Sequence, residues 1–422
     1  MAQTQVPFGS PLARKIFGVA SFQELTRKNT FMNSLTGPAP KVGSGAEAVK
    51  AERMQTSPEY PCVRITDLTK ERGDVVSVDL FNILTGKPTM GDRMLRDRMM
   101  KLKYDSMDIK IDQARGGFDP GGRMAQQRTI HDLRIVGRQN IIGWWARYLD
   151  QAKYVHIAGA RGSMNTADWV IPLETDPEFG EIMVNPVLAP TFNRHLYGGD
   201  ATSIGTLDVA DTLSLSTIDR IRAMIDEADM PLQPIKFPDD PAAEYEPLYV
   251  LLVSTRQWHN LQTAIESLPN GGSVWRTFLM NARERGSKNP LFTGEPGLWN
   301  GVLIRKTQRA IRFLPGDTVT VAQNTANYQT TTQTVPTLTA NHSVDRALLL
   351  GAQAMGEVWG KDSGSGAHMR WYEEITDHGA KYEGSVAGML GMSKLRFKDV
   401  NNVMTDHGVY AIDTVAKDPR VA

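Results

Sequence analysis

Eight histidines, one cysteine and scattered carboxylates are the groups in this 422-residue chain whose types could do chemistry, and their spacing decides which chemistry is open. The histidines are His131, His156, His195, His259, His342, His368, His378 and His407. No two stand four apart, the spacing that puts two metal ligands on one helical face. His-Glu-x-x-His is absent, as are the Gly-x-Ser-x-Gly nucleophile elbow and any glycine cluster running into Gly-Lys-Ser/Thr. Gly43-Ser44-Gly45 and Gly364-Ser365-Gly366 lack the preceding hydrophobic strand of a phosphate-cradling loop and read as flexible links. His131 beside Asp132 has the composition of an acid–base pair but the setting of a polar helix face. Asp108 and Asp112 share one side of a strand with Lys110 between them, which reads as an ion-paired exposed face. Cys62, the one cysteine, excludes an internal disulfide and a thiolate zinc cage within one chain. No catalytic, metal-binding or cofactor-binding residue is assigned, and the expectation is a protein that is not an enzyme.

Composition narrows the remaining classes. Lys plus Arg and Asp plus Glu both total 47, so the net charge is zero with histidine neutral. A dedicated nucleic-acid binder needs a basic excess to displace counterions from phosphates. Near neutrality permits dense self-association, because identical subunits do not repel strongly. No run of about 18 apolar residues suggests a membrane span, and Met1 to Ser10 lack the features of a secretory signal, which makes cytosolic synthesis the default. Residues 86–155 hold fourteen Lys/Arg against eight Asp/Glu, a basic bias suited to DNA or to acidic surface on a neighbour. Trp144 and Trp145, near Arg138 and Arg147, could stack on bases. As adjacent helical residues they point about 100° apart, so one is expected inside and the other against a second element or chain.

The elements that must carry these residues follow from periodicity. Residues 1–60 are broken by Gly37-Pro38-Ala39-Pro40, Ser57-Pro58 and Tyr60-Pro61, and read either as an extended arm ordered on another surface or as a disordered tail. Val76 to Leu80 and Met107 to Asp112 alternate strictly, as half-buried strands do. The basic, Met-rich stretch from Arg93 to Lys103 lies between them, predicting a protruding hairpin that leans on a neighbour. After the turn at Phe118-Asp119-Pro120-Gly121-Gly122, the residues Ile130, Leu133, Ile141, Trp145, Tyr148, Ala152 and Val155 fall on one helical face. A helix of some 30 residues, stopped by Gly159, would reach roughly 45 Å and act as a spine.

Asp168 to Asp211 reads as loop. Leu213 to Asp229 and Trp275 to Arg285 read as helices, as does the segment capped by Ser254 or Thr255 and carrying Leu261, Ile265 and Leu268. Leu248 to Val253 and Gly301 to Arg305 read as strands, giving an α/β or α+β core. Thr318 to Val344 contains no Asp, Glu, Lys or Arg, and nine of its residues are Thr. It either pairs with another chain or forms a solvated loop. Ala347 to Val358 is apolar strand or helix, Met369 to Ile375 and Val386 to Phe397 are terminal strands, and Asp-His-Gly at Asp377 and Asp406 marks two turns.

In order along the chain, Gly73-Asp74-Val75-Val76, Gly86-Lys87-Pro88, Gly91-Asp92 and Ile109-Lys110-Ile111-Asp112-Gln113 are followed by Gln127-Arg128, Asp132-Leu133-Arg134, Trp145 and Gly159-Ala160-Arg161-Gly162. Asn289-Pro290-Leu291-Phe292-Thr293-Gly294, Gly301-Val302 and Arg346 through Ala354 come later. Over about residues 60–400 this series resembles the major capsid proteins of tailed phages, in particular the phage N4-like major capsid protein family.

The resemblance implies an α+β Hong Kong 97-like capsid fold with an N-terminal arm (1–69), an extended hairpin loop (70–118) and the spine helix of a peripheral domain (119–165). It also implies an axial α/β domain with insertions (166–365) and return strands of the peripheral domain (366–422). The implied function is self-assembly, through pentamers and hexamers of itself, into the icosahedral head of a virion built in the host bacterial cytoplasm. That head encloses double-stranded DNA bound non-specifically, with no cofactor and no membrane, and portal, scaffolding and decoration proteins are further candidate partners. Arg93, Arg96, Arg98, Lys101 and Lys103 are expected to meet acidic groups of a neighbouring subunit. A cellular protein-cargo shell with the same fold, a soluble enzyme and a portal or tail ring are the rival readings.

Overall fold

A computed structural model describes residues 11–27, 30–37, 56–66, 75–81, 84, 86–122, 124, 127–237, 240, 242, 245–286, 292, 295–324, 328–338, 341–361 and 367–420. The motif at 73–74, most of the 289–294 motif and both Gly-Ser-Gly links lie outside the described residues. The first strands are β1 (Cys62–Ile65), β2 (Val75–Phe81), β3 (Tyr104–Lys110), β4 (Asp112–Phe118), β5 (His195–Tyr197) and β6 (Tyr249–Ser254). Next come β7 (Gly297–Trp299), β8 (Val302–Thr307), β9 (Ile311–Phe313), β10 (Thr318–Ala322), β11 (Thr330–Thr334) and β12 (His342–Leu350). The last are β13 (Met355–Trp359), β14 (Met369–Thr376), β15 (Lys381–Lys394), β16 (Arg396–Lys398), β17 (Met404–Asp406) and β18 (Val409–Lys417).

Two sheets and one long helix organise these strands. The first sheet runs β1-β13-β15-β14, with β4 also paired to β15. The second runs β5-β18-β12-β6-β8-β7, with β9 also paired to β12. Strand β6 is buried along its whole length, as its unbroken apolar run predicts, and packs under the helix Thr255–Glu266, beside which the helix Gly271–Arg285 lies over β7. Ser254 caps the first of these helices through a capping box with Gln257. The helix predicted over 213–229 is present as Leu215–Asp226.

The spine helix, Leu133–Ala158, has 26 residues, so it is about 39 Å long. Asp132 starts it by accepting hydrogen bonds from the backbone N–H groups of Arg134 and Ile135. Gly159 ends it in the left-handed region at φ 67°, where a Cβ would sit 2.3 Å from the carbonyl oxygen of Leu188. The predicted apolar face is only half of the result. Ile141, Trp145, Tyr148, Ala152 and Val155 are buried, but Asp150, Gln151, Lys153 and His156 are buried too, because the second half of the helix is wrapped on all sides. Ile130 is a correction: it precedes the helix and is fully exposed.

Four further expectations change. Residues 11–27 are not extended; they form a helix that lies along β14 and the spine helix. Its Phe17 packs edge-on to Trp371, its Phe22 edge-on to Trp359, and its Leu25 is buried. The Thr-rich stretch is neither a free loop nor an unpaired edge, since β10 and β11 pair with each other in register Thr318↔Thr334. Asp108 and Asp112 do not share a strand face, because the chain breaks at Ile111 and Asp112 opens β4. Asp377-His378-Gly379 is a turn as expected, and His407-Gly408 bends the chain between β17 and β18, but Asp406 itself ends β17 as a fully buried anion.

Candidate assembly surfaces

The β2–β3 hairpin changes character along its length. At its base Val76 pairs with Ile109, and both pack with Val358, Leu395 and Phe397 of the chain's own body. For this half the surface that the hairpin leans on is the body of its own chain. Alternate residues on the other face, Ser77, Asp79 and Asp108, are exposed, with Ser77 Oγ donating to Asp108 at 2.5 Å. Towards the tip the apolar residues lose their cover: Phe81 and Tyr104, paired across the strands, are both exposed. Beyond them Met90, Met94 and Met99 stand in solvent, Met94 with 80% of its surface exposed.

The base is fixed by a side chain the sequence gave no reason to single out. Lys110 N–H donates to Asn185 Oδ1 at 2.9 Å, and Asn185 Nδ2 donates to the Lys110 carbonyl at 2.9 Å, so one amide replaces a strand partner where β3 ends. Val184, a β-branched residue at φ 63°, turns the chain after the helix Phe179–Met183 and presents Asn185. Gly391 permits the close passage, because a Cβ there would lie 2.0 Å from the Lys110 carbonyl oxygen. Lys398 N–H also donates to Asp105 Oδ2 at 2.7 Å.

Of the five cations expected to meet a neighbour, Arg93, Arg96, Arg98 and Lys101 are exposed on this tip and form no ion pair among the described residues. Arg96 and Arg98 sit in a short 3-10 turn. Lys103 differs, since its Nζ donates to the Val400 carbonyl of its own chain at 2.8 Å.

Inside the body, charges are paired with almost no solvent contact. On β12, Asp345 and Arg346 point to opposite faces of one strand. Asp345 accepts a bidentate bond from Arg312 at 2.7 and 2.8 Å and a bond from Ser254 Oγ. Arg346 donates to both oxygens of its cross-strand neighbour Asp413 at 2.7 and 2.8 Å, and to the Ala158 carbonyl at 3.0 Å, tying the end of the spine helix to the second sheet. His195 Nε2 completes the cluster at 2.7 Å from Asp413. Burial alone would raise the Asp413 pKa, but Arg346 and His195 hold it well below the usual carboxylate range. In the same way Glu357, buried between Arg64 and Lys153, is held down to about 2 against the effect of burial. Asp406 takes both Lys394 and Arg396. Adjacent opposite charges in an apolar strand, as in Val344-Asp345-Arg346-Ala347, are the sequence signal that marks such a cluster.

The other singled-out residues are structural. Trp145 is fully buried, and Trp144 lies over Gly116 of β4 and stacks on Tyr148 at 5.9 Å, the split that adjacent helix positions predict. His131 is exposed, whereas His156 and His407 are buried, and burial lowers both of their pKa values to about 4. Burial raises the Cys62 thiol to about 11, so it stays protonated and unreactive.

Comparison with known proteins places this architecture. The family model for phage capsid protein matches residues 5–418. The major capsid protein of Pseudomonas phage KPP25 is 25% identical over 362 residues, covering 80% of this chain and 82% of that one. Among solved structures, the capsid of Ralstonia phage GP4 is 27% identical with a TM-score of 0.70, covering 99% of both chains. The cyanophage Pam1 capsid shares the fold at 18% identity and a TM-score of 0.55, over 85% of this chain and 89% of that one. The chain belongs to the phage capsid protein family and is a structural shell protein of a phage, with a Hong Kong 97-like α+β fold.

Proposed function

We propose that copies of this chain close, as pentamers and hexamers, into an icosahedral head around double-stranded DNA held without sequence preference. The chain acts without enzymatic activity, in assembly that takes place in the bacterial host cytoplasm. The observation that carries this reading is the hairpin tip, where exposed apolar and cationic side chains stand together. A monomeric protein gains nothing from such a surface, and head-to-tail contacts between identical subunits close into rings when the rotation permits.

In this reading residues 70–118 form the extended loop, the spine helix belongs to a peripheral domain, and residues 166–365 contribute the axial domain. Arg93, Arg96, Arg98 and Lys101 meet carboxylates of the next subunit, with Lys103 at the margin. Portal, scaffolding and decoration proteins are further partners. Zero net charge suits a shell that does not itself condense DNA.

Electron microscopy of the expressed protein tests the reading: closed particles are expected, and an exclusively monomeric protein of 46.7 kDa on sizing overturns it.

A further inference from the structure

The hairpin tip has a counterpart of opposite sign elsewhere in the chain. Residues 86–103 contain six Lys/Arg and two Asp. Residues 162–193 contain five carboxylates, Asp168, Glu174, Asp176, Glu178 and Glu181, and no Lys or Arg. All five are exposed. Beside Glu174 the surface opens into a groove of about 470 Å³ whose walls include Leu173, Phe179, Val187, Phe313 and Val319. Glu178 and Glu181 flank Phe179, one of the groove's wall residues, in sequence, and both are exposed. An apolar wall with carboxylates beside it is the complement of a tip that carries methionines among arginines. Methionine is the apolar side chain that adapts most easily to an irregular groove.

One copy does not join these two surfaces by itself. The hairpin is pinned at Lys110 by Asn185, four residues after Glu181, and runs outward from there through Tyr104. Six strand residues span about 20 Å, so the tip stands clear of the anchor beside its own acidic segment. Among the described residues no ion pair links Arg93, Arg96, Arg98 or Lys101 to any of the five carboxylates.

We infer that the groove beside Glu174, together with the adjoining exposed carboxylates Glu178 and Glu181, is the dock for the hairpin tip of a second copy of this chain. This inference rests on the shell-assembly reading and names the acceptor surface that the reading leaves open. The tip methionines fill the groove, and Arg96 and Arg98 reach Glu178 and Glu181. Glu174 stays with its own chain, accepting the Arg161 N–H at 2.6 Å.

Charge exchange tests it, read as particle yield by electron microscopy with circular dichroism of free subunits as the folding control. Glu178→Arg with Glu181→Arg is expected to lower particle yield at least tenfold. Adding Arg96→Glu with Arg98→Glu to the same chain is expected to restore most of it. Separately, Met94→Cys with Thr175→Cys is expected to give a ladder of disulfide-linked multimers in particles. Cys62 is buried and does not contribute to that ladder. If the tip reversal stops assembly while the acidic reversal assembles normally, the hairpin docks elsewhere and this inference is overturned. If reversing the tip leaves yield unchanged, the hairpin-docking part of the assembly reading fails along with it. Should the acidic variant misfold, the cysteine pair decides, because particles that form without intersubunit disulfides overturn the inference.

Discussion

Strand β12 and the tip of the β2–β3 hairpin use the same side-chain types to opposite ends. On β12, Arg346 meets Asp413 with both partners fully buried and every strong donor engaged with its own chain. On the tip, Arg93, Arg96 and Arg98 face solvent without an ion pair among the described residues. A buried charge must find its partner within the fold, since leaving it unpaired is prohibitive. An exposed one gains at most about 1 kcal/mol from a partner, so folding leaves it available to another molecule. The difference separates the part of the sequence that specifies the subunit from the part that specifies its neighbours.

The largest way to break this contrast is at β12. Arg346→Ala leaves Asp413 buried with only His195, and is expected to lower the unfolding free energy of the free subunit by about 3–5 kcal/mol. Replacing both partners, Arg346→Met with Asp413→Leu, should recover much of the loss, because two apolar groups of similar size need no partner. Urea denaturation of unassembled subunits measures both, and a loss below about 1 kcal/mol for Arg346→Ala sinks the assignment of this pair as a fold-specifying contact.

Acid attacks the same buried half of the molecule. His156 Nε2–H donates one bond, to the Met183 carbonyl at 3.3 Å, and His407 has neither ring nitrogen bonded among the described residues. Burial lowers both pKa values to about 4 in the folded chain from 6.5 when exposed, so the unfolded chain binds the extra protons first. Stability from each is therefore complete above pH 6.5 and is lost as the pH falls toward 4, by about 3 kcal/mol per histidine. The urea midpoint measured from pH 7 down to 4.5 should fall, and His407→Gln should flatten part of that fall. A pH-independent midpoint over this range contradicts the burial of both histidines. The exposed tip carries no histidine, so neither of these two protonations touches it.

What the sequence made legible follows the same division. The hairpin strands, the spine helix and the apolar strand β6 each carry an uninterrupted period, so their places were readable to within a few residues. The helix at 11–27 does not show in the sequence because its packed face mixes Phe17, Phe22 and Leu25 with Gly18, where a Cβ would lie 2.5 Å from the Met369 carbonyl, and buried Ser21, while Ile16 and Val19 are exposed. Such a face shows no apolar stripe. Ile130 was misplaced for the converse reason, an apolar residue in step with the helix but lying before its cap. The Asn185 clamp leaves no sequence trace because its partner is backbone 75 residues away; Asp345-Arg346 in an apolar strand signals buried charge, but the partners Arg312 and Asp413 are set only once the strands are aligned. The tip cations were legible as a cluster, being local in sequence.

The smallest expected effect makes the comparison sharpest. Met94 and Met355 are the same residue type, the first 80% exposed on the tip and the second fully buried on β13. Met355→Ala removes a core side chain between two sheet neighbours and should cost about 2–5 kcal/mol of subunit stability. Met94→Ala removes only solvated surface and should change stability by less than about 0.5 kcal/mol. If apolar tip residues serve the contact between copies, Met94→Ala should nevertheless slow or weaken particle formation while the isolated subunit melts as before. Light scattering of the assembling protein and a thermal melt of the free subunit read the two quantities independently. A tip variant that lowers the melting temperature as much as Met355→Ala would mean that the tip is packed in the free subunit. The division between fold-specifying and neighbour-specifying residues would then have to be moved inward along the hairpin, past Tyr104.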